Sequence, residues 1–167
     1  GICWFVREVW PVLLRRIPDL KLRIVGRKPV KSVLNLASIT GVQVVGQVPD
    51  VRPYMADSML IIAPLMIARG LQNKVLEAMA FGKPVVGSPA ALAGFVHTPD
   101  FPCVQANSPN EWVEEIVSLL GSESRRSDLA KAGRNYAEKN HDWNECLLPF
   151  EQLLKRLHVE PSAEVST

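Results

Sequence analysis

Residues 59–86, MLIIAPLMIARGLQNKVLEAMAFGKPVV, decide the fold of this chain. The apolar run 59–63 has the length of a buried strand, and the apolar spacing over 72–81 is that of a helix. Its expected sheet-facing side consists of Val75, Leu76, Met79 and Ala80. Residues 84–86 form a second short apolar strand. A wholly apolar strand followed by a helix and another apolar strand predicts a βαβ unit in a parallel sheet that is covered on both faces.

The residues before this stretch repeat the same rhythm. An apolar face from Val6 to Ile17 predicts a helix that is kinked at Pro11 and closed by Pro18. Short β-branched segments then alternate with short helical ones, and glycines stop the strands. The expected elements are a strand at 21–25, a helix at 31–38, a strand at 42–45 and a helix at 51–56.

Beyond residue 90 the pattern becomes mainly helical, after an edge strand expected at 101–104. Ser108 and Glu111 form a capping box with Pro109 between them, which predicts a helix that ends at Gly121. Two further helices follow, one marked by Leu129 to Tyr136 and one over 142–157. We therefore predict one α/β domain over 1–157, a Rossmann-like parallel sheet with flanking helices, and a flexible tail over 158–167.

Composition excludes several classes of protein. The 167 residues are 47% hydrophobic and carry a net charge of +2, so a disordered tail, a fibre and a disulfide-rich mini-protein are all excluded. Such a weak net charge predicts no binding to nucleic acid. Any anion that this chain binds must be held by local groups.

Cysteines and apolar runs predict where the protein resides. Cys3, Cys103 and Cys146 are odd in number and lack metal-ligand spacing, so we interpret them as buried thiols in a reducing compartment. The longest apolar run is too short to span a membrane, and the first residues do not have the pattern of a signal peptide, so we expect neither. The expected location is cytoplasmic. The first residues have no initiator Met, so we expect the chain to start inside a longer protein.

The turns that follow the strands are the places where a parallel sheet binds ligands. The third of them leads into a helix that begins near Asn73. Free amides at that helix start, its positive dipole end and Lys74 together offer a site for a diphosphate, and Glu77 is placed to accept hydrogen bonds from ribose hydroxyls. The same spacing equally favours a simple surface pair of Lys74 and Glu77.

Several segments in order along the chain resemble the retaining GT-B glycosyltransferases of group 1, also called family 4. The strongest likeness is to exopolysaccharide sugar transferases, including those of exosortase systems, which have a similar A-R-G-x-Q-N-K-V-L-E-A-M-A stretch. The resemblance covers nearly the whole chain. Its segments are KVLEAMAFGKPVV at 74–86, F-x-x-x-x-W-P at 5–11, IVGR at 24–27, GQVPDVRPY at 46–54 and Asp142-Trp143.

This resemblance implies a donor site for a nucleotide-diphosphate sugar. Glu77 matches the second glutamate of the family's E-x7-E motif and would hold the ribose. No cofactor is implied, since helix amides and Lys74 rather than a metal would meet the phosphate charge. The resemblance also implies that the diphosphate would contact Asn73, Lys74 and Val75. The base would lie against Val48 and Pro49, with Arg27 beside it.

Two departures from the family pattern change these expectations. Arg69 occupies the position of the first glutamate of the motif, so the usual acidic contact to the donor sugar is missing. A guanidinium at this position could pair with a carboxylate, and an acidic donor sugar is therefore a hypothesis.

The resemblance matches this chain to the C-terminal half of the GT-B fold, which in this family begins with a strand and a Gly-rich turn, while the N-terminal half binds the acceptor. The match starts in the helix after that strand, so we expect the chain to be truncated at its N-terminus, without this first strand and without the acceptor half. We therefore expect this chain alone to bind donor poorly and to transfer nothing. His97, His141 and His158 are interpreted as structural or solvated rather than as replacements for the missing half.

The resulting prediction is the donor-binding half of a glycosyltransferase that moves a sugar to a saccharide or lipid-linked acceptor in polysaccharide biosynthesis. The acceptor would bind through the N-terminal domain that this chain is expected to lack. Because no membrane-spanning segment is predicted, the complete enzyme could contact the inner face of the membrane only peripherally. Two alternatives stay open. One is a GT-B nucleotide-sugar epimerase, and the other is a non-catalytic nucleotide-binding or interaction module.

Overall fold

The computed structural model describes residues 1–96, 101–141 and residue 152. Its first helical segment consists of two helices, α1 (Ile2–Glu8) and α2 (Trp10–Arg16). Val9 joins them, and Pro11 is the second residue of α2, where a missing amide proton is tolerated. The kink predicted at Pro11 is confirmed as this break between two helices.

The middle of the chain alternates short strands and helices as predicted. For most of these strands and helices, the first and last residues differ from the predicted ones by no more than two positions. A 3-10 turn at Asn35–Ser38 ends the helix that was expected over 31–38. The elements are β1 (Leu22–Val25), α3 (Lys31–Leu34), β2 (Val42–Gly46), α4 (Arg52–Ala56), β3 (Ile61–Ala63), α5 (Asn73–Ala80) and β4 (Val85–Gly87).

The second half of the chain contains one short helix that the sequence pattern did not predict. This helix, α6 (Pro89–Leu92), is capped by Ser88, whose Oγ accepts a hydrogen bond from the amide of Ala91. The predicted edge strand lies later than expected, because β5 covers only Val104–Gln105. The final elements are α7 (Pro109–Gly121) and α8 (Glu123–His141), and the helix predicted over 142–157 lies outside the described residues except for residue 152.

The capping box predicted at the start of α7 is confirmed. Ser108 Oγ accepts a hydrogen bond from the amide of Glu111, and the Glu111 carboxylate accepts one from the amide of Asn107. The Glu111 carboxylate also accepts hydrogen bonds from the side chains of Asn107 and Ser108. Together with the bond from the Asn107 amide, which has the largest effect, they hold the pKa of Glu111 below its usual range. The start of α7 is therefore set by residues adjacent to it in sequence.

Every strand pair in the described part of the chain is parallel, and the strands form two sheets. β1 pairs with β2, while β4 lies between β3 and β5. In the three-stranded sheet Ile61 is opposite Val85, and Val86 is opposite Val104. The predicted α/β class with parallel strands and flanking helices is confirmed, with the sheet divided into two parts.

Helices cover both faces of these sheets. In β4 the side chain of Val85 enters one apolar core and that of Val86 enters the other, since adjacent residues of a strand point to opposite faces. Both valines are fully buried. The first core contains α1, α2 and α7, and the second contains α5, α6 and α8, so the protein has an α/β/α layering.

Trp112 lies in the first core and joins its helices. Its ring meets Phe5 of α1 edge to face, with centroids 5.4 Å apart and planes at 79°. Leu13 of α2 and Ile116 of α7 are buried in the same core. The helices before β1 are therefore attached to the helix after β5 through one aromatic contact and its apolar surroundings.

The second core corrects one expectation about α5. The apolar side of this helix was expected to consist of Val75, Leu76, Met79 and Ala80. Instead Val75, Ala78 and Met79 are fully buried, while Ala80 is exposed. The buried face is rotated because α5 also packs on α8, where Gly133 lies close enough that an added Cβ would be 3.4 Å from Met79.

The thiol of Cys103 belongs to this second core. Burial raises the pKa of Cys103 to about 12, so the thiol stays protonated at neutral pH. Its Sγ lies 3.4 Å from the sulfur of Met79. Cys3 is half-buried, and Cys146 lies outside the described residues.

Candidate functional site

The predicted site residues follow the carboxyl ends of three parallel strands. Because those strand ends meet at one edge of the sheets, the structure places the residues at the same edge. Three segments carry them, the turn after β1, the turn after β2, and the loop and helix after β3. The residues are Arg27 on the first, Val48 and Pro49 on the second, and Arg69, Asn73, Lys74, Val75 and Glu77 on the third.

The turn after β1 presents two cations to solvent. Arg27 and Lys28 are both exposed, and Lys28 has a φ of 47°, a conformation that non-glycine residues seldom adopt. The positive φ turns the chain sharply beyond Gly26. Arg27 is thereby held at the strand end rather than along the side of the sheet.

The turn after β2 is closed by a charge pair that the sequence analysis did not assign. Asp50 Oδ1 accepts a hydrogen bond of 2.9 Å from the amide of Arg52, and Nε of Arg52 lies 3.0 Å from both carboxylate oxygens. The hydrogen bond from the Arg52 side chain holds the pKa of Asp50 below its usual range. Val48, which is half-buried, and Pro49, which is exposed, directly precede this pair.

The loop between β3 and α5 is held in place by Gln72 and Gly94. The side-chain amide of Gln72 donates to the carbonyls of Arg69 and Gly70, and Gly70 has a φ of 61°. Gly94 lies so near that an added Cβ would be 2.4 Å from the Gly70 carbonyl oxygen. The backbone at Arg69 is therefore constrained on two sides while its side chain remains exposed.

The N-terminus of α5 is open to solvent. Gln72 precedes the helix in an extended conformation, and no side chain of the described residues caps it. The amide of Val75 donates to the carbonyl of Gln72 at 2.9 Å and its side chain is fully buried. Asn73 and Lys74 are exposed. An anion at this helix end would therefore meet the side chains and amides of Asn73 and Lys74 before it met Val75.

Glu77 is exposed about one turn further along α5. In the part of the chain that the structure describes, no ion pair joins Glu77 to Lys74. Both charged groups are therefore presented separately to solvent. Glu77 is suited to accept hydrogen bonds from hydroxyl groups, and Lys74 to contact an anion.

A cavity of about 540 Å³ opens between β1 and β3 beside this edge. Lys74 is the one predicted site residue among those that line it. Arg23 of β1 also contributes, and this side chain is paired with Asp57 at the end of α4. The cavity and the exposed residues of α5 thus form one continuous region.

A second cavity, of about 560 Å³, lies at the opposite edge of the three-stranded sheet. Phe101 and Pro102, which precede β5, form one wall, and Arg125 and Leu129 of α8 form part of the other. Arg125 is already paired with Glu115 at 2.6 Å. None of the site residues predicted from the sequence lines this second cavity.

Positive charge predominates at the predicted edge. Arg27, Lys28, Arg69 and Lys74 are exposed there, and within the described ranges none of these four takes part in an ion pair. Unpaired cations around an open helix N-terminus favour an anionic ligand. The chain as a whole carries only +2, so this positive region is local.

The one histidine within the described residues lies away from this edge. The ring of His141 contacts Phe95 and Tyr136 in the second core, with centroids 6.1 and 5.7 Å away. This packing agrees with the structural interpretation of His141. His97 and His158 lie outside the described residues.

Among the helices of the described part, none combines the length and the apolar character needed to cross a membrane.

Comparison with protein families gives a match over most of the chain. The model of the family described as "Glycosyl transferases group 1" matches residues 1–122. An uncharacterized glycosyltransferase of Haemophilus influenzae is 32% identical over 125 residues, which cover 70% of this chain and 34% of that protein. The chain therefore spans about a third of the length of this relative.

Solved structures show the same fold. HepE of Anabaena, crystallised in complex with UDP, has a TM-score of 0.74 at 17% identity, covering 90% of this chain and 44% of that chain. The C-terminal domain of a glycosyl transferase group 1 family protein from Francisella tularensis has a TM-score of 0.69 at 16% identity, covering 86% of this chain and 80% of that domain. These likenesses support a GT-B type α/β domain.

Proposed function

The chain belongs to the glycosyl transferases group 1 family, and from this premise we propose that it is the donor-binding half of a retaining glycosyltransferase. The complete enzyme would transfer a sugar from a nucleotide-diphosphate sugar to a saccharide or lipid-linked acceptor. We place this activity in polysaccharide biosynthesis, at the cytoplasmic side of the membrane. The observation that carries the proposal is the open, cationic N-terminus of α5 at the carboxyl edge of parallel strands.

The diphosphate would bind at the start of α5. The positive end of this helix, the exposed Asn73 and the ammonium group of Lys74 all favour negative charge there. When the bond between sugar and diphosphate breaks, negative charge grows on the departing phosphate oxygens. Groups that are already oriented toward that charge lower the barrier, because they need no reorganisation during the reaction.

The nucleoside would lie along the same edge. Glu77 would accept hydrogen bonds from the ribose hydroxyls, and the Val48-Pro49 turn would contact the base, with Arg27 beside it. The exposure of Glu77 and Arg27 and the hydrogen-bonded Asp50–Arg52 pair directly after Pro49 support this arrangement. HepE of Anabaena was crystallised with UDP and with UDP-glucose, so a uridine nucleotide is the first donor to test.

We expect Lys74→Ala to weaken binding of UDP by roughly tenfold or more, because a charge-assisted contact to the diphosphate is lost. Calorimetry with UDP, GDP and ADP measures this and also identifies the base. Lys131→Ala, at an exposed lysine of α8, is the matched control and should bind as the unmodified chain does. Equal UDP affinity in the Lys74 variant and the control would contradict the role of Lys74.

Arg69 supports a narrower proposal about the donor sugar. Its backbone is held by Gln72 and Gly94 while its guanidinium is exposed, which suits contact with a carboxylate on the sugar. We expect the chain to prefer UDP-glucuronate to UDP-glucose by roughly tenfold, and Arg69→Ala to remove that preference. Arg15→Ala, at an exposed arginine of α2, should keep it. Equal binding of both sugars by the unmodified chain would end this proposal.

An epimerase and a non-catalytic binding module are the competing functions. Arg69 in place of the expected glutamate is the observation that favours the module. A transferase releases free nucleotide from its donor when an acceptor is added, whereas an epimerase changes the sugar without an acceptor. Product analysis with the complete enzyme therefore separates the three functions.

A further inference from the structure

The β3–α5 loop, residues 64–72, lies against the short helix α6. Ser88, the residue before α6, contacts the start of this loop, and Gly94, two residues after α6, contacts its end. Between these two contacts the loop carries Arg69, which the proposed function assigns to the donor sugar. α6 is therefore placed to determine where Arg69 lies.

Ser88 connects α6 to the start of the loop. Its Oγ accepts a hydrogen bond from the amide of Ala91 at 3.2 Å, which caps α6, and donates one to the carbonyl of Leu65 at 2.5 Å. Its amide donates to the carbonyl of Ala63, the last residue of β3, at 3.1 Å. Because one hydroxyl donates and accepts at the same time, Ser88 both caps the helix and holds the loop.

Gly94 holds the end of the loop by close backbone contact. An added Cβ on Gly94 would meet the carbonyl of Gly70 and would lie 2.7 Å from the amide nitrogen of Leu71. Both groups belong to the backbone, so they cannot rotate away as the end of a flexible side chain can. Any larger residue at position 94 would therefore push the loop away from α6, next to Arg69.

α6 is itself fixed in the second core. Ala91 and Leu92 are fully buried. Phe95, which follows Gly94, is also buried, and its ring centroid lies 6.4 Å from that of Tyr136 in α8. A close-packed core resists displacement, so contacts with α6 hold the loop in one position.

The groups proposed for the diphosphate and the ribose do not depend on these contacts. Asn73, Lys74 and Glu77 belong to α5, and this helix is anchored by its own buried residues, Val75 and Met79. A shift of the β3–α5 loop would therefore move Arg69 relative to α5 and leave the groups on α5 in place.

We propose that Ser88 and Gly94 are positioning residues for recognition of the donor sugar, and that they act through the β3–α5 loop on Arg69. α6 would hold the backbone of Arg69 where its guanidinium can meet a carboxylate on the sugar while the diphosphate lies on α5. Charge-assisted hydrogen bonds of this kind require a supported, well-defined geometry. The inference rests on the proposed donor site, and it adds that selectivity for the sugar is separable from affinity for the nucleotide.

Calorimetry of the 167-residue chain with UDP, UDP-glucose and UDP-glucuronate tests this separation. We expect Ser88→Ala and Gly94→Ala to bind UDP within about threefold of the unmodified chain, because α5 stays in place. In both variants the roughly tenfold preference for UDP-glucuronate over UDP-glucose should fall below about twofold. Ser88→Thr, which keeps the hydroxyl group, should keep the preference.

Two matched controls separate this effect from a general loss of stability. Ser108→Ala removes the equivalent serine cap from α7, where the cap is likewise followed by proline. It should lower stability as Ser88→Ala does and yet keep the sugar preference. Gly121→Ala adds a methyl group where nothing lies within 4 Å, and it should also keep the preference.

The order of the loop is measured without nucleotide by NMR relaxation of the backbone amides. Motion on the picosecond to nanosecond timescale should increase at Arg69 and Gly70 in Ser88→Ala and Gly94→Ala, with no change at Val75. If Gly94→Ala does not fold, Ser88→Ala and Ser88→Thr carry both measurements.

Three outcomes would overturn the inference. The first is an unchanged sugar preference in Ser88→Ala, and the second is an equal loss of preference in Ser108→Ala. The third is a parallel loss of UDP affinity and sugar preference, which would mean that α6 supports the whole site. An unmodified chain that binds no UDP would instead contradict the proposed function itself, and the inference with it.

Discussion

Replacing Trp112 with alanine is expected to lower the free energy of unfolding by about 3–5 kcal/mol. The side chain is only 1% exposed, and its ring contacts Phe5 edge to face at 5.4 Å. Removing it takes away the transfer free energy of a large apolar group, the aromatic contact, and the packing of the atoms around the resulting cavity. Domains of this size are stable by only about 5–15 kcal/mol, so the loss is a large fraction of the total.

Urea denaturation followed by circular dichroism measures this change. Trp4→Ala is the matched control, because Trp4 is only half-buried at the margin of the same core and should cost clearly less. If Trp112→Ala does not fold, Trp112→Phe, which retains a ring, should fold with a smaller loss. Equal destabilisation by the Trp4 and Trp112 substitutions would show that the core is not centred on Trp112.

Glu77→Ala is expected to weaken nucleotide binding by about 1.5–3 kcal/mol for each charge-assisted hydrogen bond that is lost. If the carboxylate binds two ribose hydroxyls, both bonds disappear together. The helix itself should be unaffected, since Glu77 is exposed and alanine favours helices. A loss of affinity without a loss of stability would therefore identify Glu77 as a binding residue.

Calorimetry of nucleotide binding is the measurement for Glu77, with thermal unfolding as a parallel check. Glu77→Gln keeps a neutral acceptor and should fall between the unmodified chain and Glu77→Ala. Glu138→Ala, on the exposed side of α8, should leave affinity unchanged. The assignment to the ribose would be wrong if Glu77→Ala bound nucleotide as tightly as the unmodified chain.

Local signals predicted most of the secondary structure. Ser108 and Glu111 set the start of α7 through bonds within three residues, and Pro11 divided the first helical segment where its missing amide proton requires. The sequence analysis missed α6 although the adjacent Ser88 caps it, because a helix of four residues is too short to show an apolar period. Local signals also misplaced β5, because only its pairing with β4 defines that strand.

The buried face of α5 shows a different kind of error. Apolar spacing alone did not distinguish Ala78 from Ala80, since both are small and apolar. The distinction depends on α8, where Gly133 permits close packing against Met79. That contact joins residues more than fifty positions apart, and periodicity within one helix carries no information about it.

The candidate site was predictable to the extent that parallel strands bring their carboxyl ends together. Lys74 and Glu77 were selected from the helix that follows β3, and Arg27 from the family resemblance at the turn after β1. The structure places all three at one edge. The groups that hold this edge in shape were not selected. Gly94 lies against Gly70, and Arg23 pairs with Asp57, and each of these contacts forms between residues distant in sequence.

Read alone, the amino-acid order was enough to predict the α/β class and the parallel strands, and to group the candidate site residues at one edge of the sheets. Those features follow from apolar periodicity, turn residues and chain connectivity, which act over a few neighbouring positions or through general rules of handedness. The division into two sheets, the cavity between β1 and β3 and the rotated face of α5 came only from the folded chain. They depend on which distant surfaces pack together, because burial and unpaired backbone groups are properties of the assembled tertiary structure.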